Sequence, residues 1–319
     1  MRVMVLGAGG AHKTETAIAG AVRQLGHPCR QVNVEGWDRY LKRLSRPVVR
    51  RLVDSFAPDL LIMTRPVVWL GEDTVRALTR GRRSAFWYFD LSSQPLPDIA
   101  ALGRIADAMF VTTLSQVERY RAAGVPTVLH LPQGVDTATD RPARRSPQRY
   151  QCDVSFVGSG QYPFRHPLLA AVAATCRLQI RGPGWNAAPR QFPVSGGPVW
   201  NRRFTQVVRG AAVSLGAHAL PEHAREQGGG ASNRMWKVLG CGGFYLGAHV
   251  EGIEAFATDG EHCVWYRDPD HAVVLVRRYL FDAGARARIA RAGRAHALAH
   301  HTYAHRVALL LEGRGYTST

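Results

Sequence analysis

The chain has 319 residues, of which 46% are hydrophobic and 20% charged, and its formal net charge at pH 7 is +17. This is enough apolar material for two cores of about 150 residues each, which excludes an intrinsically disordered protein. The five cysteines form no CxxC pair, and neither a membrane span nor a signal peptide is recognisable, so we expect a cytoplasmic protein with no disulfide framework and no zinc site.

Apolar runs alternate with helical patterns through the first 131 residues. Strands are predicted at residues 3–6, 30–34, 60–63, 85–89, 108–112 and 127–131. Helical patterns cover residues 14–25, 39–55, 74–79 and 114–122. This βαβ rhythm predicts a parallel sheet with helices on both faces, which binds its ligands beyond the carboxyl ends of the strands.

The stretch 39–51 contains six basic residues and no acid: Arg39, Lys42, Arg43, Arg46, Arg50 and Arg51. Five of them follow the spacing of one helix face, although Pro47 can bend this helix or split it in two. Such a face predicts a polyanion as partner. The alternative is a compositional origin, since the basic excess is spread over both halves of the chain and lysine occurs only at positions 13, 42 and 237.

A Pro- and Arg-rich stretch at 141–150 predicts a linker, after which the same rhythm resumes. Further strands are predicted at residues 154–157, 178–181, 212–215, 243–246 and 263–266. We therefore predict an α/β protein with two Rossmann-like, doubly wound domains that face each other across a cleft. Residues 1–140 form the first domain and 151–300 the second, and residues 301–319 form a C-terminal helix that packs back on the first domain.

The glycine-rich loop that begins at Gly228 leads into a helical pattern and then a buried strand. Its glycines allow a close backbone approach, and Ser232 or Asn233 can cap the helix, whose unpaired N–H groups favour an anion. This indicates a phosphate site. The alternative is a turn that only caps the helix.

Several fragments of the second half resemble a known family in their order and spacing. They are residues 153–159, Arg165, 182–185, 233–244, 252–256, 259–262, 279–280 and 301–303, with Arg306. Over residues 152–312 the chain resembles the CgeB-like branch of the group 1 glycosyltransferases, which have the GT-B architecture. The resemblance implies transfer of a sugar with retention of anomeric configuration, and a nucleotide-sugar, most often a UDP-sugar, as co-substrate. It implies no metal or other cofactor.

The resemblance also implies roles for particular residues. The donor diphosphate is assigned to Gly158, Ser159, Arg165, Ser232, Asn233, Arg234 and Lys237. The base and ribose are assigned to Arg181, Gly182, Trp185 and Glu226, although Trp185 can equally fill the core. Many group 1 enzymes have a glutamate at the position of Lys237. Because a lysine cannot accept hydrogen bonds from the ribose, it either turns to the diphosphate or leaves the ribose to another group.

The first domain is expected to supply the acceptor side and the catalytic groups. Asp90 ends a predicted strand and can orient or deprotonate a hydroxyl, or else cap the following turn. His12 lies in the loop that begins Gly7-Ala8-Gly9-Gly10, which is not a complete dinucleotide fingerprint. The predicted acceptor is a hydroxymethylated or hydroxylated base in DNA, bound along the basic stretch. The alternatives are a polysaccharide, glycolipid or small metabolite, or a non-catalytic binding module.

Overall fold

The computed structural model describes residues 1–41, 44–92, 94–186, 192–218 and 230–317, with only the backbone of residues 38–41. The chain divides into two compact units. The first unit comprises Met1–Gln133 with Tyr303–Thr319, and the second comprises Gly134–Thr302.

The first unit is built on a six-stranded parallel sheet. Its strands are β1 Val3–Gly7, β2 Cys29–Asn33, β3 Leu60–Met63, β4 Arg83–Tyr88, β5 Ala108–Val111 and β6 Val128–His130, in the spatial order β2-β1-β3-β4-β5-β6. β1 and β3 are buried throughout because helices cover both faces of the sheet. The order reverses between β1 and β3, which is the position where such sheets bind ligands.

The helices of the first unit are α1 Thr14–Gln24, α2 Val34–Leu41, α3 Ser45–Phe56, α4 Glu72–Thr79, α5 Pro97–Ile105 and α6 Leu114–Ala122, joined by the C-terminal α12 Tyr303–Leu311. The predicted helix 39–55 is two helices, and Pro47 lies in the first turn of α3, where its missing N–H costs nothing. Side chains of α12 join the core on the α1 face of the sheet, where Tyr303 stands edge-on to Trp87 at 6.3 Å between ring centroids.

The second unit is also built on a six-stranded parallel sheet. Its parallel strands are β7 Cys152–Val157, β8 Leu178–Arg181, β9 Val194–Gly196, β10 Ala211–Leu215, β11 Tyr245–Ala248 and β12 Val264–Tyr266, in the order β12-β11-β10-β7-β8-β9. Its helices are α7 His166–Ala173, α8 Asn201–Gly210, α9 Asn233–Gly240, α10 Pro269–Phe281 and α11 Ala283–His300. Two doubly wound parallel sheets confirm the predicted fold class. None of the described helices is long and apolar enough to cross a bilayer.

Candidate active site

Two glycines bring the carboxyl ends of β7 and β8 together. Gly158 donates its backbone N–H to the carbonyl of Arg181 at 2.8 Å. Gly182 has a φ of +151°, and a Cβ at this position would lie 2.0 Å from the carbonyl oxygen of Gly158. Only glycine fits so close an approach of two backbones.

Beyond these strand ends lies a cavity of about 230 Å³. The part of its wall that the sequence predicted consists of Gly158, Gly182, Arg234 and Lys237. The remaining wall is mostly apolar: Val157, Pro183, Pro198, Val199, Trp200 and Phe204. A wall that combines cationic groups with aromatic rings suits a ligand with an anionic part and a flat part.

Arg234 is held in place by backbone carbonyls. Its Nε donates to the carbonyl of Val157 at 2.5 Å and its Nη1 to that of Ala217 at 3.3 Å. The guanidinium carbon lies 4.8 Å from the centroid of the Phe156 ring. Because its contacts are carbonyl dipoles and a ring face, the side chain is oriented while its charge stays available.

Arg165 is held in the same way. Its Nε donates to the carbonyl of His218 at 2.8 Å, its Nη1 to that of Ser159 at 3.1 Å, and its guanidinium lies 4.2 Å from the centroid of the Tyr162 ring. Burial and, to a lesser extent, the charge of Arg234 lower the pKa of Arg165 to about 10. Neither arginine pairs with a carboxylate in the described part of the chain. Two neighbouring positive charges without an acid favour an anion.

The N-terminus of α9 adds to this positive field. Ser232 caps the helix, and its Oγ accepts from the N–H of Arg234 at 3.3 Å. Asn233 Oδ1 is buried, with no hydrogen-bond partner among residues 1–41, 44–92, 94–186, 192–218 and 230–317. The predicted cradle therefore begins its helix where expected, while Gly228, Gly229 and Glu226 lie outside the described residues.

Lys237 lines the cavity one turn into α9. Its Nζ lies 3.2 Å from Oδ1 of Asp140, whose side chain is almost completely buried. Burial raises the pKa of Asp140, and the nearby lysine opposes this shift. The lysine is thus anchored by a carboxylate at the edge of the cavity.

Arg181 and Trp185 have other surroundings. The Arg181 guanidinium lies 4.8 Å from the Tyr150 ring centroid. Trp185 is 6% exposed, packs in the core of the second unit and donates its Nε1–H to the carbonyl of Gly158 at 2.9 Å. Trp200 in the cavity wall is 53% exposed. Trp200 is absent from the residues predicted for this site, although its position directly before the amphipathic α8 could have indicated it.

In the first unit, His12 and Asp90 lie beyond the carboxyl ends of β1 and β4. These strands are separated by β3 alone, so the ends are about 10 Å apart. Asp90 Oδ2 accepts from Nη1 of Arg65 at 2.6 Å, and this ion pair is half exposed. His12 is half-buried in the glycine loop. Both residues therefore lie at the ligand-binding edge of one sheet.

The basic stretch is described in part. Arg46, Arg50 and Arg51 are exposed on α3, and Nε of Arg50 lies 3.9 Å from Oδ2 of Asp54. Lys42 and Arg43 lie outside the described residues, as does the side chain of Arg39.

Comparisons with known proteins agree with this geometry. Residues 165–312 match the family described as glycosyl transferase-like. The chain has the GT-B fold. A sequence search of curated proteins gives no significant match. The family match to residues 165–312 is not specific to the CgeB-like branch.

Solved structures resemble this chain over nearly its whole length. HepE of Anabaena, solved with UDP and glucose, is 14% identical, with a TM-score of 0.68 and coverage of 98% of this chain and 99% of that one. Sucrose-phosphate synthase of Thermosynechococcus elongatus is 12% identical, with a TM-score of 0.68 and 98% of both chains covered. A trehalose-6-phosphate synthase studied for glycosyl transfer with retention is 11% identical, with a TM-score of 0.64 and 98% of both chains covered.

Proposed function

We propose that this protein transfers a sugar from a UDP-sugar to an acceptor hydroxyl, and that the second unit binds the donor. The observation that carries the proposal is the pair of Arg165 and Arg234, which lie close together without a described carboxylate partner. Arg234 lines the cavity beyond β7 and β8. HepE, which has the same fold, was solved with UDP and with UDP-glucose.

The chemistry requires stabilisation of the diphosphate that leaves the anomeric carbon. Its negative charge grows in the transition state, and oriented cations that need no reorganisation stabilise it. Arg165 and Arg234 are oriented by carbonyls before any ligand binds, and the N-terminus of α9 adds its dipole. We assign Lys237 to the same anion, with Asp140 keeping its ammonium at the cavity edge.

The aromatic part of the cavity wall is assigned to the uracil base. Trp200 and Phe204 supply aromatic faces there, so the stacking role falls to Trp200 in this proposal and Trp185 remains a packing residue. We assign the catalytic acid–base function to Asp90 or His12 in the first unit, each at the edge where a parallel sheet binds ligands. The resemblance to the trehalose-6-phosphate synthase supports transfer with retention.

Replacing Trp200 with Ala is expected to raise KM for the UDP-sugar about tenfold, because a stacked base contributes on the order of 1–3 kcal/mol. The value of kcat should change little, since the base is bound equally in the ground and transition states. Initial rates over a range of donor concentrations measure both constants. Trp69→Ala, at the exposed tryptophan of the first unit, is the control. If Trp200→Ala keeps the wild-type KM, the base of the donor does not stack on Trp200.

Chelation is expected to leave the reaction rate unchanged, because two arginines and a helix N-terminus supply the positive charge that a metal would otherwise provide. In the described part of the chain, no three His, Cys, Asp or Glu side chains are grouped to hold a metal ion. Rates are compared with and without EDTA. A loss of rate that manganese or magnesium restores would contradict metal independence.

Direct tests of the function are donor hydrolysis and ligand-induced stabilisation. UDP should raise the melting temperature more than UMP or uridine does, because only UDP presents a diphosphate to both arginines. The protein should also release UDP slowly from a UDP-sugar. Stabilisation by UDP without any turnover would indicate a non-catalytic binding module, and stabilisation equal to that by uridine would contradict the diphosphate site.

Two acceptor classes are open, a hydroxylated base in DNA, which the basic stretch and the net charge suggest, and a glycan or small metabolite. Arg46 and Arg51 are exposed on α3 and lie on the predicted polyanion surface. Duplex DNA should be retarded at low salt, and the double variant Arg46→Ala/Arg51→Ala should flatten the slope of log K against log salt by about two. An unchanged slope, or no retardation at low salt, would leave glycans and small metabolites as acceptors.

A further inference from the structure

The second unit carries an arginine-lined groove that the donor site does not use. One wall is formed by residues 138–145 and the other by helix α8, and together they enclose about 840 Å³. A neighbouring cavity of about 510 Å³ shares Arg144 and Arg145 with it. We call this continuous depression the arginine groove, defined by Arg141, Arg144, Arg145, Arg202 and Arg209.

The charge of the arginine groove is uncompensated. All five arginines are exposed, and none forms an ion pair with a carboxylate in the described ranges. No described acidic residue lines either cavity. Arg202 and Arg209 are separated by two turns of α8, or about 10 Å, with Arg144 and Arg145 on the opposite wall. A single small anion cannot reach all of these cations, so the spacing suits a chain that carries several negative groups.

The uncharged residues that line the arginine groove indicate which kind of chain carries the negative groups. Asn201 Oδ1 is buried, with no hydrogen-bond partner in the described residues, and Asn201 has a φ of +47° that few residues adopt. Gln206 and Thr205 follow it on the same wall. Amides and hydroxyls of this kind bind sugar hydroxyls, whereas no aromatic ring on the described walls can stack a base. The lining therefore favours a glycan over a single strand of nucleic acid.

Helix α8 connects the arginine groove to the donor cavity. Its Phe204 and the preceding Trp200 line the donor cavity, while Asn201, Arg202 and Gln206 line the groove. We propose that the arginine groove binds the phosphate-bearing part of a glycan acceptor. Its role in catalysis rests on the proposed glycosyl transfer, whereas binding of the anionic chain does not depend on it.

The test measures binding of fluorescently labelled phosphorylated dextran, with neutral dextran of the same length as the matched ligand. The wild type should bind the phosphorylated chain only, and Arg144→Gln/Arg145→Gln should weaken its affinity at least about tenfold. Arg288→Gln/Arg291→Gln removes the same charge from exposed positions of α11 and should bind as the wild type does. Equal weakening in both variants, or equal binding of neutral dextran, would overturn the proposal.

Two further measurements separate this proposal from its alternatives. Single-stranded and duplex DNA compete for the same labelled dextran, and displacement by DNA at lower concentration than by unlabelled phosphorylated dextran would overturn the glycan assignment. Donor hydrolysis by Arg144→Gln/Arg145→Gln should equal that of the wild type, while transfer to a phosphorylated glycan falls with binding. If the wild type hydrolyses no UDP-sugar, the proposed function is wrong. The dextran measurements then still show whether the arginine groove binds an anionic glycan.

Discussion

Replacing Arg165 or Arg234 with Ala is expected to lower kcat/KM for sugar transfer by a factor of about 10² to 10³, or roughly 3–4 kcal/mol of transition-state stabilisation. Each guanidinium is oriented by carbonyl groups and has no described carboxylate partner, so its charge is available to the leaving diphosphate. The loss should appear in kcat as well as KM, because the negative charge on the diphosphate increases in the transition state. The measurements are initial rates of donor hydrolysis and the stabilisation by UDP.

The control for these variants is Arg288→Ala, which removes an exposed arginine of α11 in the same unit. Arg234→Lys adds a finer comparison, since it keeps the charge but loses the planar fork that Val157 and Ala217 orient. Carbonyls left unpaired by Arg234→Ala cost about 1–3 kcal/mol of stability, so urea unfolding is measured in parallel. If both alanine variants bind UDP as tightly as the wild type does, Arg165 and Arg234 do not bind the diphosphate.

The fold was predictable because buried parallel strands appear in the sequence as short apolar runs. β1, β3 and β7 lie close to their predicted positions for this reason. β9 was missed, since a three-residue edge strand with two exposed residues has no such signal. The break between α2 and α3 was foreseen as an alternative at Pro47, but proline in the first turn of α3 starts the second helix instead of interrupting one.

Part of the candidate site could be predicted from the sequence, because residues that directly follow neighbouring parallel strands lie close together in space. Gly158 and Gly182 follow neighbouring strands, and Arg234 begins a helix after a cap, so their convergence follows from the βαβ topology. The sequence does not show which of Trp185 and Trp200 lines the cavity. Trp185 is buried against side chains distant in sequence, such as Phe156 and His166. The anchoring of Lys237 by Asp140, 97 residues away, was equally out of reach.

Acid is expected to destabilise the first unit through His130, which lies on β6. Burial lowers the pKa of this histidine from 6.5 to about 4, and the charge of Arg306 contributes to the lowering. The unfolded chain therefore binds a proton between these two values while the folded chain does not, so stability falls as the pH drops through this window. The full difference corresponds to about 3 kcal/mol, and above pH 6.5 the effect disappears.

His130→Gln isolates this contribution, because a neutral amide of similar length cannot be protonated in the window. Its free energy of unfolding in urea should change less between about pH 7 and about pH 5 than that of the wild type does. The comparison is needed because burial also lowers the pKa of His262 in the second unit. His262→Gln should leave the slope attributable to His130 in place. If the wild type and His130→Gln lose stability equally over this range, His130 titrates with an ordinary pKa and the acid sensitivity lies elsewhere.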